Sequence, residues 1–429
     1  MKYTFRALIS FLGAFTILLI GSGQNGFVRS TAASSNPIAV LPGTTSFKAD
    51  DANPSLPTLP QLKVLVDSGS ESAKLAKSDP IGYGWQLFFY TAWPGFTDLA
   101  HRGQPDPSKK LGQPGPTSWE MWKNSDEIFL PNGHKPEVWN TAEPVPAEVS
   151  KQPFKPSDTG NYWENMTGNT EVDGFPAKDD TGQDILYEIR MNQDIFTPIV
   201  TRELFNIDGQ IKYANEKGDL VFPFGVMEIK ASWRWLDTTK PGCQAADYFT
   251  ANAYWKEKDR NGKPMGYKTG VMGMTGLHVL TKALNQWVWI TFEQVNNTIC
   301  TQVERRDPIP TDVQEANKKW RTSLAGTKWA KYEMVGVQTS PGTAQKPILL
   351  ANTQIETAFQ SRSSCLTCHS IASIATQKPT KPEDDLRKSF LQHNPPVSPP
   401  YYIGTPPALA PFKSQDFVWS LRRAAWFQK

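Results

Sequence analysis

A chain of 429 residues with 39% hydrophobic and 20% charged residues carries enough apolar content for packed cores, which excludes wholesale disorder. The formal net charge is only +3 and no basic block stands out, which excludes a nucleic-acid-binding footprint. Length alone sets an expectation of two or three domains.

In chain order, the first element reads as an export signal over residues 1–33. Lys2 and Arg6 supply a positive start, Ala7 to Ile20 is an almost unbroken apolar run, and Thr31-Ala32-Ala33 offers small residues for cleavage. The run is short for a membrane span; an uncleaved leader would be the sole membrane attachment. Either way the body is expected outside the cytoplasm, in a periplasm or an equivalent lumen. Residues 34–60, rich in Ser and Pro, read as a linker.

Residues 61–183 form a Trp-rich mixed region. Helical spacing surrounds Trp85, Phe88 and Phe89 and stops at Pro94-Gly95, while Trp119, Trp122 and Trp139 are expected core anchors. Residues 184–344 then read as an antiparallel β domain, with runs such as "ILYEIRMNQDIF", "GVMEIKASWRWL" and "QWVWITFEQV". Alternation puts Val226, Glu228, Lys230, Ser232 and Arg234 on one face and Met227, Ile229, Ala231, Trp233 and Trp235 on the other. Glu228, Lys230 and Glu293 are read as sheet-surface charges. Asp208-Gly209, Pro241-Gly242 and Asn261-Gly262 are expected turns. Cys243 and Cys300 each follow a strand, and in an oxidising compartment a disulfide between them is the simplest pairing.

Residues 345–429 differ again. "NTQIETAFQSRSSCLTCHSIASIAT" has helical character on both sides of its cysteines, and "SQDFVWSLRRAAWFQK" reads as a closing helix with Ser414 as N-cap and Phe417, Leu421 and Ala424 on one face. The whole chain is therefore expected to be α+β, a mostly antiparallel β body followed by a small α-helical segment.

The stretch "SSCLTCHSIAS" carries the chemistry. Cys365, Cys368 and His369 make a C-x-x-C-H: two thiols one helical turn apart can add to the two vinyl groups of one porphyrin, and the next imidazole can reach the iron, so the pattern reads as attachment of one haem c. Zinc, a redox dithiol and a plain disulfide compete for the same residues. Zinc needs four ligands, which only Cys243 and Cys300 could complete with cysteine. A thioredoxin-like dithiol wants a buried strand before the motif, which "TAFQSRSS" is not. The other axial position is open. No Met follows residue 334, so the usual downstream Met ligand is missing, and His393 is the downstream imidazole. Met272, Met274, Met334, His101, His134 and His278 are upstream candidates.

The haem stretch resembles the cytochrome c superfamily over about 80 C-terminal residues. The longer chain resembles exported bacterial cytochrome c family proteins through "WQLFFYTAWPG", "SWEMWK", "MEIKASWRWL", "GLHVLTK", "WVWITFE", "ANTQIETAFQSRSSCLTCH" and "DFVWSL". Where a histidine often follows "TFE" in that group, this chain has Gln294. The resemblance implies a cytochrome c-like C-terminal segment binding one covalent haem through Cys365, Cys368 and His369. Its default activity is electron transfer with a redox protein partner. The alternative is a haem-dependent oxidoreductase whose aromatic body holds a small-molecule substrate.

Overall fold

The computed structural model describes residues 55–168, 177–258, 263–343, 346–370, 372–378 and 412–429. The expected leader, most of the expected linker, the Asn261-Gly262 turn and His393 lie outside the described residues.

Among the described residues three helices come first: α1 (Leu59–Asp67), α2 (Gly69–Ser78) and α3 (Pro80–Thr91). Each start is chemically marked. The Ser68 hydroxyl accepts the Glu71 N–H, and Asp79 accepts the Gly82 N–H at 2.9 Å with Pro80 at the first helical position. α3 is buried over nearly its whole surface, so it is a core helix and not an amphipathic one. Trp85, Phe88 and Phe89 pack against Phe292, Trp320 and Trp329, and Trp119, Trp122 and Trp139 are buried as expected.

The remaining elements are β1 (Lys123–Asn124), α4 (Ser125–Ile128), β2 (Trp163–Gly168), β3 (Leu186–Met191), α5 (Gln193–Thr201), α6 (Ile207–Lys217), β4 (Met227–Trp235), β5 (Thr250–Lys258), β6 (Pro264–Thr281), β7 (Val288–Gln294), α7 (Asn297–Cys300), α8 (Thr311–Ser323), β8 (Tyr332–Gln338), α9 (Cys365–Ser370), β9 (Ser373–Ala375) and β10 (Phe412–Ser414). Among the described residues eight strands form one sheet, antiparallel except where β2 runs parallel to β5. β3 pairs with β4, β4 with β6, β6 with β5, β5 with β2, and β2 with β3, so these five strands close on one another; β7 and β8 extend from β6. The α+β expectation with a mostly antiparallel sheet therefore holds. Among the described residues, the main hydrophobic core draws on residues from α1 through β8 to Leu366, Phe417 and Leu421, across the expected boundaries at 183/184 and 344/345.

Three local expectations fail for physical reasons. Asp208-Gly209 is not a turn but the first turn of α6: Asn206 caps it, accepting the Gly209 N–H at 2.7 Å, and an acidic Asp208 suits a helix start. Gly209 is there because a Cβ would meet the Glu203 carbonyl oxygen at 1.9 Å. The closing helix is absent. Ser414 ends β10, Asp416 and Phe417 take positive φ, and only a short 3-10 turn, Trp419–Arg423, follows. Positive φ at two non-glycine residues cannot belong to a right-handed helix. After α9 the described chain forms the two-stranded β9–β10 ladder, not a helix. The helical C-terminal segment is thus reduced, among the described residues, to α9 and 3-10 turns. Leu421 and Ala424 are nevertheless buried with Phe417, as their shared face implied.

Cys243 and Cys300 are disulfide-bonded across 57 residues. Closing a loop of that size stabilises the fold by ~4 kcal/mol on the chain-entropy model.

Candidate functional site

The polar face of the sheet is not solvated. Glu228, Ser232, Arg234 and Glu293 are all buried. This corrects the reading of Glu228 and Glu293 as surface charges: the C-terminal segments fold back over this face and cover it. Glu293 braces the cover, accepting the Thr353 N–H at 2.6 Å, the Thr353 hydroxyl at 2.7 Å and the Arg305 guanidinium at 2.9 Å. Gln294 points elsewhere, donating to the Asp247 carbonyl.

Between the sheet and its cover lies a cavity that is partly open to solvent. Ile189, Lys230 and His278 are cross-strand neighbours on β3, β4 and β6 and line its floor; Tyr187, Glu228, Leu280 and Trp289 line it beside them. The period-two alternation of strands turns all of these side chains the same way. The cover supplies Ile355, Glu356 and Phe359 from the approach to α9 and Trp419, Ser420 and Arg423 from the last 3-10 turn. Cys365, Cys368 and His369 also line this cavity. Helical spacing explains their convergence: positions i, i+3 and i+4 share one face.

α9 is pinned at its start. The Gln338 side chain of β8 accepts the Leu366 N–H at 3.0 Å and donates to the Ser364 hydroxyl at 2.9 Å, and Leu366 is buried in the main core. His369 is held from the other side. Its Nδ1 lies 2.8 Å from the Phe417 carbonyl oxygen, which fixes Nδ1 as the protonated nitrogen and leaves the Nε2 lone pair available. The ring also packs 4.4 Å from Trp289 and 6.4 Å from Trp419. Burial pulls the imidazole pKa down to about 4, so it is neutral, the form that binds metals.

Neither Cys365 nor Cys368 is in a disulfide. Burial, reinforced by the Glu356 carboxylate, pushes the Cys365 thiol well above its ordinary value. A protonated, half-buried thiol is not the low-pKa nucleophile of a redox dithiol. The disulfide also removes Cys243 and Cys300 from any zinc site. Among the described residues no group of three His, Cys, Asp or Glu side chains is arranged to hold a bare metal ion.

The donor set fits a thioether-linked haem. Two sulfurs and a neutral, oriented imidazole share one helical face and line a cavity with aromatic and aliphatic walls. Polar groups line it too. Glu228 accepts the Ser420 hydroxyl at 2.7 Å through one oxygen, while its other oxygen has no hydrogen-bond partner among the described residues; burial raises its pKa to about 7. His278 Nε2 lies 3.0 Å from Glu356. Burial works against the Glu356 carboxylate, but the His278 imidazole, the Asn352 N–H and Lys230 hold its pKa below the ordinary range. Sequence reading missed Glu356, Trp289 and Phe417; only the motif's need for a group orienting its histidine pointed toward such a partner.

The other expected ligands are placed apart. Met272, Met274 and Met334 are fully buried in the main core, His101 pairs with exposed Asp98, and His134 bonds the Gln428 carbonyl. None of these five lines the cavity.

No family model matches the chain, and no curated protein or solved structure is significantly similar to it. No helix among the described residues is long and apolar enough to cross a membrane.

Proposed function

We propose that this protein is an exported c-type cytochrome that binds one haem covalently through Cys365 and Cys368, with His369 as the proximal ligand, and passes electrons to a redox protein partner. The C-terminal haem segment in this reading is α9 together with the strands and 3-10 turns packed around it. The observation that carries it is the convergence of both thiols and an oriented, neutral imidazole on one cavity. When bound, the haem would supply a one-electron couple. The chain's own residues do the rest. Phe417 orients His369, and Trp289 and Trp419 flank its ring. The Cys243–Cys300 disulfide supports an oxidising compartment, where haem c is also attached.

The test is haem retention. Protein made with a haem c attachment system should keep its haem through acid-acetone extraction, and Cys365→Ala/Cys368→Ala protein should lose it. Retention of acid-stable haem by the double variant would reject the assignment.

A haem-dependent oxidoreductase is the second reading. The unpartnered Glu228 oxygen and the opening of the cavity to solvent favour it, because a pure carrier needs neither. Peroxide turnover by a high-spin ferric protein would decide for it.

A further inference from the structure

His278 sits on the floor of the cavity that His369 enters from the cover. β6 places it there by register, between Lys230 of β4 and Thr291 of β7, so the ring position is set by two ladders and not by a loop. Among the described residues His278 and His369 are the imidazoles that line this cavity, and no methionine does.

The tautomer of His278 is also set. Nε2 lies 3.0 Å from Glu356 Oε1, and the other Glu356 oxygen is fixed by the Asn352 N–H at 2.7 Å. A carboxylate that only accepts takes the Nε2 proton, so in the neutral ring the lone pair lies on Nδ1. An imidazole whose far N–H is given to a carboxylate is the usual second-layer arrangement of a metal-ligating histidine. A histidine with only a packing role would not need a half-buried carboxylate, 78 residues away in the chain, to orient it toward a cavity.

We propose that His278, positioned by Glu356, supplies the second axial ligand to the iron through Nδ1, facing His369. The inference rests on the haem reading above. It favours a carrier over an oxidoreductase, since two protein imidazoles leave no open position on the iron.

The test uses the full-length haem-loaded protein, with haem content measured for every variant. The wild-type ferric protein should be low-spin by optical and electron paramagnetic resonance spectra, and its ferrous form should not bind CO. His278→Ala should become high-spin and bind CO, and added imidazole should restore the low-spin spectrum. His278→Gln, which keeps a similar volume beside Glu356, should give the same loss and guards against a packing artefact. His278→Met should be low-spin again with a raised reduction potential. Glu356→Gln should stay low-spin with a shifted potential, because only the basicity of the imidazole changes. A low-spin His278→Gln protein that still excludes CO, or a high-spin wild type, would overturn the assignment while leaving the haem reading intact. A wild-type chain without acid-stable haem would remove the haem reading itself.

Discussion

Arg190 is fully buried, and its guanidinium meets Glu164, Glu188 at 2.7 Å and Glu143 at 3.1 Å. Removing the cation would strand these carboxylates in the core. Arg190→Met should destabilise the fold by about 3–5 kcal/mol in denaturant titrations, the range for breaking a buried ion pair; a loss under about 1 kcal/mol would show that the acids simply take up protons. Little of this was legible beforehand. Alternation correctly divided Glu228 and Lys230 from Ile229 and Ala231. A period of two says which side chains share a face, but not whether that face meets water. The CxxCH was legible because all its donors lie within one helical turn. Glu356 and Phe417, which orient the two cavity histidines, were not, because their roles depend on contacts 78 and 48 residues away along the chain.

The C-terminal segment acts as a strap across the cavity. Asp416 pins it: its carboxylate accepts the Phe222 N–H at 2.6 Å and the buried Lys282 ammonium. The next residue, Phe417, gives its carbonyl to His369. Asp416→Ala should therefore loosen the strap and leave Lys282 buried without its carboxylate. Lower haem retention should accompany a loss of about 3–5 kcal/mol in stability, the cost of removing one partner of a buried pair. Unchanged haem content together with unchanged stability would contradict the strap. The same residues explain why a helix was expected here and not found. "SQDFVWSLRRAAW" carries good cap and terminal charges, but tertiary bonds to Asp416 hold it and Phe417 at φ 51 and 67. Propensity is a weak prior against buried ion pairing. The helical spacing around Trp85, Phe88 and Phe89 was legible because that aromatic run agrees with the burial of α3.

At the scale of the whole molecule, several carboxyls titrate late. Burial raises Glu120, Glu143, Glu164 and Glu228, with Glu228 brought to about 7. In the unfolded chain such groups titrate near ~4.3. The folded chain therefore holds more protons between those limits. The stability these protons confer is complete below the unfolded value and is lost as pH rises through the folded one. The denaturation midpoint should be lower at about pH 8 than at about pH 5, and Glu228→Gln should flatten that slope. A midpoint that rises with pH would contradict the burial of neutral carboxyls. The antiparallel sheet was visible as spaced β-rich runs. Its closure through the parallel β2–β5 pair, and the cover that turns a polar face into a cavity, were not, because both join segments far apart in sequence.

The central claim is that Cys365, Cys368 and His369 hold a porphyrin. The most direct measurement is a pyridine haemochrome spectrum of the purified full-length protein, made where haem c can be attached. The expected result is the spectrum of thioether-linked haem, one per chain, absent from Cys365→Ala/Cys368→Ala protein. A spectrum without haem, or with haem that extracts into acid-acetone, would contradict it.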